Sequence, residues 1–264
     1  MPYRVDIRDA HDHALDRLID LGALDVERVS DRGVAAVMPD SVTAAQIALA
    51  LGVEDVSVSP ADGRDADSVW ILSPRPVRAG RVLIVPARAN AEAGALRLID
   101  SPAFGTGLHP TTALCLDALD EALENADLEA VLDVGTGSGV LALAALRLGA
   151  PRAMGVDVDA EALRVAGENA RLNGFSDRLQ LALGGPDATE NTYPLVLANI
   201  LAAPLVDIAP VLVRRVAHHG HLVLSGIPVS VEDEVGRVYR DSGMHLVDVR
   251  SRAGWVAIVL RASW

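Results

Sequence analysis

Three glycines at alternate positions, in Asp133-Val134-Gly135-Thr136-Gly137-Ser138-Gly139, lie between an apolar run, Ala130 to Val134, and an alanine- and leucine-rich stretch that opens at Val140. Glycine permits positive φ and lets a ligand approach the backbone closely. A helix leaving such a turn offers N–H groups and positive potential to an anionic group. The dinucleotide fingerprint G-x-G-x-x-G requires glycine where this chain has Val140. The G-x-G-x-G spacing of Gly135, Gly137 and Gly139 suits S-adenosylmethionine instead, which has no pyrophosphate to cradle. Asp157 follows Gly135 by 22 residues, at the end of the next apolar run. A carboxylate there can accept from both ribose hydroxyls of an adenosine. Asp159, directly before a helical pattern, is the expected helix cap, which leaves Asp157 for the ribose.

Two further segments bear on the chemistry. Asn199, in Leu197-Ala198-Asn199-Ile200-Leu201, ends the fourth apolar run of the second half. In open α/β sheets that edge forms the ligand crevice, and an amide can both donate and accept, so it can hold an amine beside a methyl donor. Asn199 is therefore the expected catalytic residue. Neither proline nor an aromatic ring follows it, so a flipped base would lack its stacking platform, and an aliphatic amine is the expected acceptor. The other segment, residues 103–112, holds two glycines and three threonines ahead of a helical pattern. Its place before the first core strand puts it over the crevice. A lysine amine, with an unperturbed pKa near ~10.4, must lose a proton on the way in. Burial favours that loss, and catalysis is expected to work by positioning, with His109 a candidate general base.

These residues need a frame. From about residue 111 helical patterns alternate with apolar runs, which predicts a doubly wound parallel sheet. Its expected helices are Thr111–Ala126, Ser138–Leu148, Ala160–Leu172, Val206–Val216 and Val231–Ser242. A closing hairpin, Leu246–Arg250 and Trp255–Arg261, makes the last strand antiparallel. Residues 1–60 read β-α-β-β-α-β, the ferredoxin-like order, with Ser41 capping a helix that ends at Gly52 and a last strand over Val53–Val58. Residues 61–82 read as a linker, so the expected division is 1–60, 61–82 and 83–264. The fold class expected is α/β: a seven-stranded methyltransferase sheet preceded by a small α+β domain.

Composition narrows the partners. The 264 residues carry a formal charge of −13 and no lysine, all 23 basic residues being Arg. So acidic a surface repels phosphate backbones unless charge is segregated, and it attracts a basic protein. No direct nucleic-acid binding is expected. Cys115 stands alone, which excludes an intrachain disulfide and a cysteine zinc cluster, and it fits a small core residue. His218, His219 and His221 lack converging further ligands and read as a solvated turn, so no metal is expected. The N-terminus lacks a secretory pattern and no apolar stretch approaches a membrane span. The chain is expected to be a cytoplasmic monomer that does not meet membranes.

In order along the chain, AFGTGLHPTTALCL, VLDVGTGSGVLALAALRLGA, GVDVDAEAL, ENARLNG, LANILAAPL and GWVAIVLR resemble the ribosomal protein L-eleven methyltransferase family, often called PrmA. The resemblance covers residues 70–264 closely. Before AFGTG the family commonly has Asp-Pro-Gly, where this chain has Asp100-Ser101-Pro102. The resemblance implies that Thr112, Gly135, Asp157 and Asn199 contact S-adenosylmethionine, and that the N-terminal unit recognises the substrate; Phe104, Thr106, Gly137 and Gly139 are expected cofactor contacts beside them. It implies methylation of lysine side chains and the N-terminal amine of a basic ribosomal protein. Alternatives are a methyltransferase of the same fold for another protein or a small molecule, and a non-catalytic cofactor-binding module.

Overall fold

The structure is a computed structural model that describes residues 2–11, 13–61, 76–101, 109–125, 128–252 and 254–264. Its first six elements are β1 (Tyr3–Ile7), α1 (Ala14–Asp20), β2 (Asp25–Arg28), β3 (Val34–Met38), α2 (Ala44–Leu51) and β4 (Ser57–Pro60). The four strands pair antiparallel in the order β2-β3-β1-β4, the ferredoxin-like order. Val5, Ile7, Leu18, Val34, Ala36, Met38 and Ile47 make its core. The expected cap at Ser41 is displaced to Thr43. Thr43 accepts from the Gln46 amide, and the Gln46 side chain accepts from the Thr43 amide. This reciprocal box needs Gln or Glu three residues past the cap, and three residues past Ser41 stands Ala44. Gly52 closes α2 at φ 63° as expected. The fourth strand begins at Ser57, not at Val53.

Part of the expected linker is structured. Val77–Ala79 (β5) pairs antiparallel with Val82–Pro86 (β6), which pairs parallel with Leu96–Leu98 (β7). Ala79, Val82, Ile84, Leu96 and Leu98 bury their side chains in the core of the larger unit, so this small sheet is part of that unit's packing.

The large sheet follows from α3 (Pro110–Asn125), β8 (Ala130–Val134), α4 (Val140–Leu148), β9 (Arg152–Asp157), α5 (Ala160–Leu172), β10 (Leu179–Leu183), β11 (Tyr193–Asn199), α6 (Ala202–Leu212), β12 (Val216–Pro228), α7 (Glu232–Asp241), β13 (Met244–Arg252) and β14 (Trp255–Ala262). The strand order is β10-β9-β8-β11-β12-β14-β13. Neighbours from β10 through β12 are parallel, while β14 is antiparallel to both β12 and β13. Successive strand side chains face opposite ways. Val131 and Leu197 join α3 and α4 in one core, whereas Leu132, Val196 and Ala198 join α6 and α7 in another. Cys115 is fully buried in α3. Two expectations shift. α6 starts at Ala202, four residues before Val206, because Pro204 in a first helical turn removes an N–H that has no partner there anyway. β12 runs for 13 residues from Val216, not from the expected strand start at His221, and so takes in His218 and His219, which the sequence reading put in a solvated turn. No described helix is long and apolar enough to cross a membrane.

Candidate functional site

A cavity of about 690 Å³ opens at the carboxyl ends of β8, β9, β11 and β12, within the usual range for small-molecule sites. The glycine turn forms its floor. Gly135, Gly137 and Gly139 all have positive φ, at 71°, 54° and 81°. The turn is largely satisfied from within. The Gly135 and Thr136 amides both donate to the Val156 carbonyl, and the Gly139 amide donates to the Thr136 carbonyl. The Gly137 amide donates to Asp157 Oδ2 at 2.9 Å. The sequence reading expected the turn's N–H groups to face a ligand, but most of them instead lock the turn to β9.

Asp133, 1 % exposed, lies beneath this turn. Its Oδ2 accepts from the Thr136 hydroxyl at 2.7 Å and the Ala142 amide at 3.2 Å, near the start of α4. Its Oδ1 is buried and has no hydrogen-bond partner. Burial pushes its pKa up to about 6, against the pull of those two donors, and the nearby Asp157 charge adds to the rise. Asp157 itself lines the cavity. Its Oδ1 accepts from the Asp159 amide at 3.0 Å, while Asp159 caps α5 by accepting from the Glu161 amide at 2.9 Å. Asp159 is thus the helix cap, as expected, while Asp157 is held at the cavity edge by two backbone amides.

Asn199 also lines the cavity, and its Nδ2 donates to Thr112 Oγ1 at 3.4 Å. Thr112 is fully buried at the start of α3. The next residue, Ile200, is wedged between two glycines. A Cβ on Gly135 would come within 2.2 Å of Ile200 Cγ2, and one on Gly226 within 2.1 Å of the Ile200 carbonyl oxygen. Gly226 has φ 83° and lies where the β12–β14 register shifts. The glycines thus admit the Asn199–Ile200 turn and fix it over the cavity floor.

His109 and Trp255 complete one wall, with ring centroids 5.2 Å apart and edge to face. His109 Nδ1 lies 2.7 Å from Thr111 Oγ1 and accepts from the Thr111 amide. That assigns the ring proton to Nε2. Burial drives the His109 pKa down to about 4, so the imidazole is neutral near pH 7.

The structure therefore brings Thr112, Gly135, Gly137, Asp157 and Asn199 to one cavity. Gly139 stands behind them as the residue that opens α4. Phe104 and Thr106 lie outside the described residues. Sequence reading missed Ile200, Gly226 and Trp255. It also left Asp133 without a role, although one acid in the apolar strand Ala130-Val131-Leu132-Asp133-Val134 was a legible signal. Among the described lining residues the charged side chains are Asp157 and Asp159, with no Arg. Such a cavity suits a cationic ligand and disfavours a pyrophosphate. No group of three or more potential metal ligands occurs among the described residues.

Comparison with known proteins agrees with this geometry. Residues 21–263 match the family model described as ribosomal protein L11 methyltransferase (PrmA). The ribosomal protein L11 methyltransferase of Chromohalobacter salexigens is 44 % identical over 204 residues, which cover 75 % of this chain and 67 % of that protein. The one from Marinobacter nauticus is 41 % identical over 80 % of this chain and 71 % of its own length. A solved ribosomal protein L11 methylase from Lactobacillus delbrueckii subsp. bulgaricus superposes with a TM-score of 0.64 at 29 % identity, over 71 % of this chain and 99 % of that one. With the shared fold, the ordered motifs and a match across nearly its whole length, this chain belongs to the ribosomal protein L11 methyltransferase family.

Proposed function

We propose that this protein transfers methyl groups from S-adenosylmethionine to lysine side-chain and N-terminal amines of ribosomal protein L11, acting in the cytoplasm. The observation that carries the reading is the cavity itself: a glycine turn, an adjoining Asp157 and an amide at Asn199, with no basic side chain among its described lining. Family membership supplies the substrate.

The residues present fit the cofactor. The buried, unpartnered Asp133 Oδ1 and the Asp157 carboxylate put negative potential under a ligand that carries a sulfonium and an ammonium. Asp157 is placed to accept from the ribose hydroxyls, and the Gly135–Gly137 turn leaves no side chain between the backbone and the ligand. When bound, the cofactor supplies a methyl group on a positively charged sulfur.

The chain's own contribution is placement. Thr112 takes the Asn199 Nδ2 hydrogen bond, which turns Asn199 Oδ1 toward the cavity as an acceptor for an amine N–H. Val134, Ile200, Leu201, Pro204 and Trp255 give that end of the cavity an apolar wall. An amine entering there is desolvated, which favours its neutral, nucleophilic form. His109, neutral and held through Nδ1, presents no charge that would repel the arriving ammonium. Holding amine and methyl donor in line supplies most of the rate.

Calorimetry with S-adenosylmethionine, followed by incubation with labelled cofactor and cell lysate, tests the reading. It requires one cofactor bound per chain and label on a ribosomal protein. Absence of binding, or label on nucleic acid or metabolites alone, would refute it.

A further inference from the structure

α5 and its C-cap carry two asparagines four residues apart, Asn169 and Asn173, on the open edge of the small sheet. β7 pairs with β6 along one side only. On its other side the Arg97 amide donates to Asn173 Oδ1 at 2.8 Å, and Asn173 Nδ2 donates to the Arg97 carbonyl at 2.7 Å. Two residues on, the Ile99 amide donates to Asn169 Oδ1 at 2.8 Å. Four helical residues advance ~6 Å and two strand residues ~6.6 Å, so the two amides repeat in step with the strand. They act as a short substitute strand. The series continues past the sheet. Asn169, 0 % exposed, donates through Nδ2 to the Ser138 carbonyl at 2.9 Å, inside the glycine turn.

We infer that Asn169 is a positioning residue for the cofactor turn, tying the Ser138 peptide to the backbone at Ile99 so that the small sheet braces the cavity floor. This rests on the proposal that the turn holds S-adenosylmethionine. Asn173 closes the strand edge without reaching the turn, which makes it the matched control. Both side chains satisfy otherwise orphaned backbone groups, and both should matter for stability. Only Asn169 should matter for the ligand beyond stability, because only its donor arm meets the turn.

The test uses the full chain and three proteins: the native one, Asn169→Asp and Asn173→Asp. Each substitution keeps an acceptor and removes a donor. S-adenosylmethionine affinity is measured by calorimetry and thermal stability by calorimetric scanning. Asn169→Asp should weaken affinity by about tenfold, the size of one lost buried hydrogen bond. It should also raise the KM for cofactor while leaving the KM for the protein substrate unchanged. Asn173→Asp should lower the melting temperature comparably and keep the native affinity. Equal affinity losses in both variants, or native affinity in Asn169→Asp, would overturn the inference. Should Asn169→Asp not fold, hydrogen exchange in the native protein decides. Cofactor should slow exchange at the Ile99 amide, and an unchanged Ile99 rate in protein shown to bind would overturn it. A native protein that binds no cofactor would remove the functional proposal instead.

Discussion

Asp133→Asn should stabilise the ligand-free protein at neutral pH and leave it almost unchanged in acid. The carboxyl is fully buried and its pKa rises from the ordinary 3.8 to about 6. A raised carboxylate pKa means that the folded protein holds a proton the unfolded chain has already released. Stability from this group is therefore present below about pH 4 and is lost as pH climbs through about 6. At roughly 1.4 kcal/mol per unit, a rise of about two units makes the ionised form cost about 3 kcal/mol. Asparagine keeps an acceptor for Thr136 and Ala142 and carries no charge. Denaturant unfolding of both proteins at pH 4 and pH 8 reads the difference. The variant should gain about 3 kcal/mol over the native protein at pH 8 and close to nothing at pH 4. The same variant should bind S-adenosylmethionine more weakly, since it loses the negative charge under the cationic ligand. A stability difference that does not change with pH, or a native protein more stable than the variant at pH 8, would refute the burial argument.

Other consequences can be measured with the same material. Asn199→Ala should lower turnover on the protein substrate by about 10²-fold, the scale for removing one oriented polar group, with cofactor affinity within a few-fold of native by calorimetry. Thr112→Val should reproduce a milder form of that defect in kcat, because the Asn199 amide loses its anchor; an unchanged kcat would show that the amide needs no such hold. Gly135→Ala should abolish cofactor binding and lower the melting temperature, since φ is 71° and the new methyl would meet Ile200 at 2.2 Å. His109, with its pKa depressed from 6.5 to about 4 by burial, contributes stability that falls as pH drops through that window. Against His109→Asn, the native protein should weaken between about pH 6.5 and 4, and kcat/KM should show no His109 inflection near pH 6.5.

The frame was legible because its signals are local. Apolar runs of four or five residues, closed by glycine at β8 and β10, by Asp157 at β9 and by Asn199 at β11, located those strands to within a residue or two. The β-α-β-β-α-β order of the first 60 residues emerged in the same way. Errors fell where competing local rules decide. Ser41 and Thr43 are equally good caps by type, and only the Gln46 partner separates them. The helix expected from Val206 starts at Ala202, because a first turn tolerates Pro204. The site was legible where one side chain suffices, as with Asp159, which caps α5 as expected. It was not legible where two distant segments must meet. Trp255 and Gly226 reach the cavity through the antiparallel insertion of β14 and a register shift, which no local pattern encodes. The Asn169–Ser138 link joins residues 31 apart, and ENARLNG read only as a helix closing on Asn173-Gly174.

Mass spectrometry of purified ribosomal protein L11 after incubation with this protein and S-adenosylmethionine addresses the proposed activity without intermediaries. Whole methyl increments should appear on lysine side chains and the N-terminal amine, be absent without cofactor, and nearly vanish with the Asn199→Ala variant. An unmodified L11 in the presence of protein that demonstrably binds the cofactor would contradict the assignment.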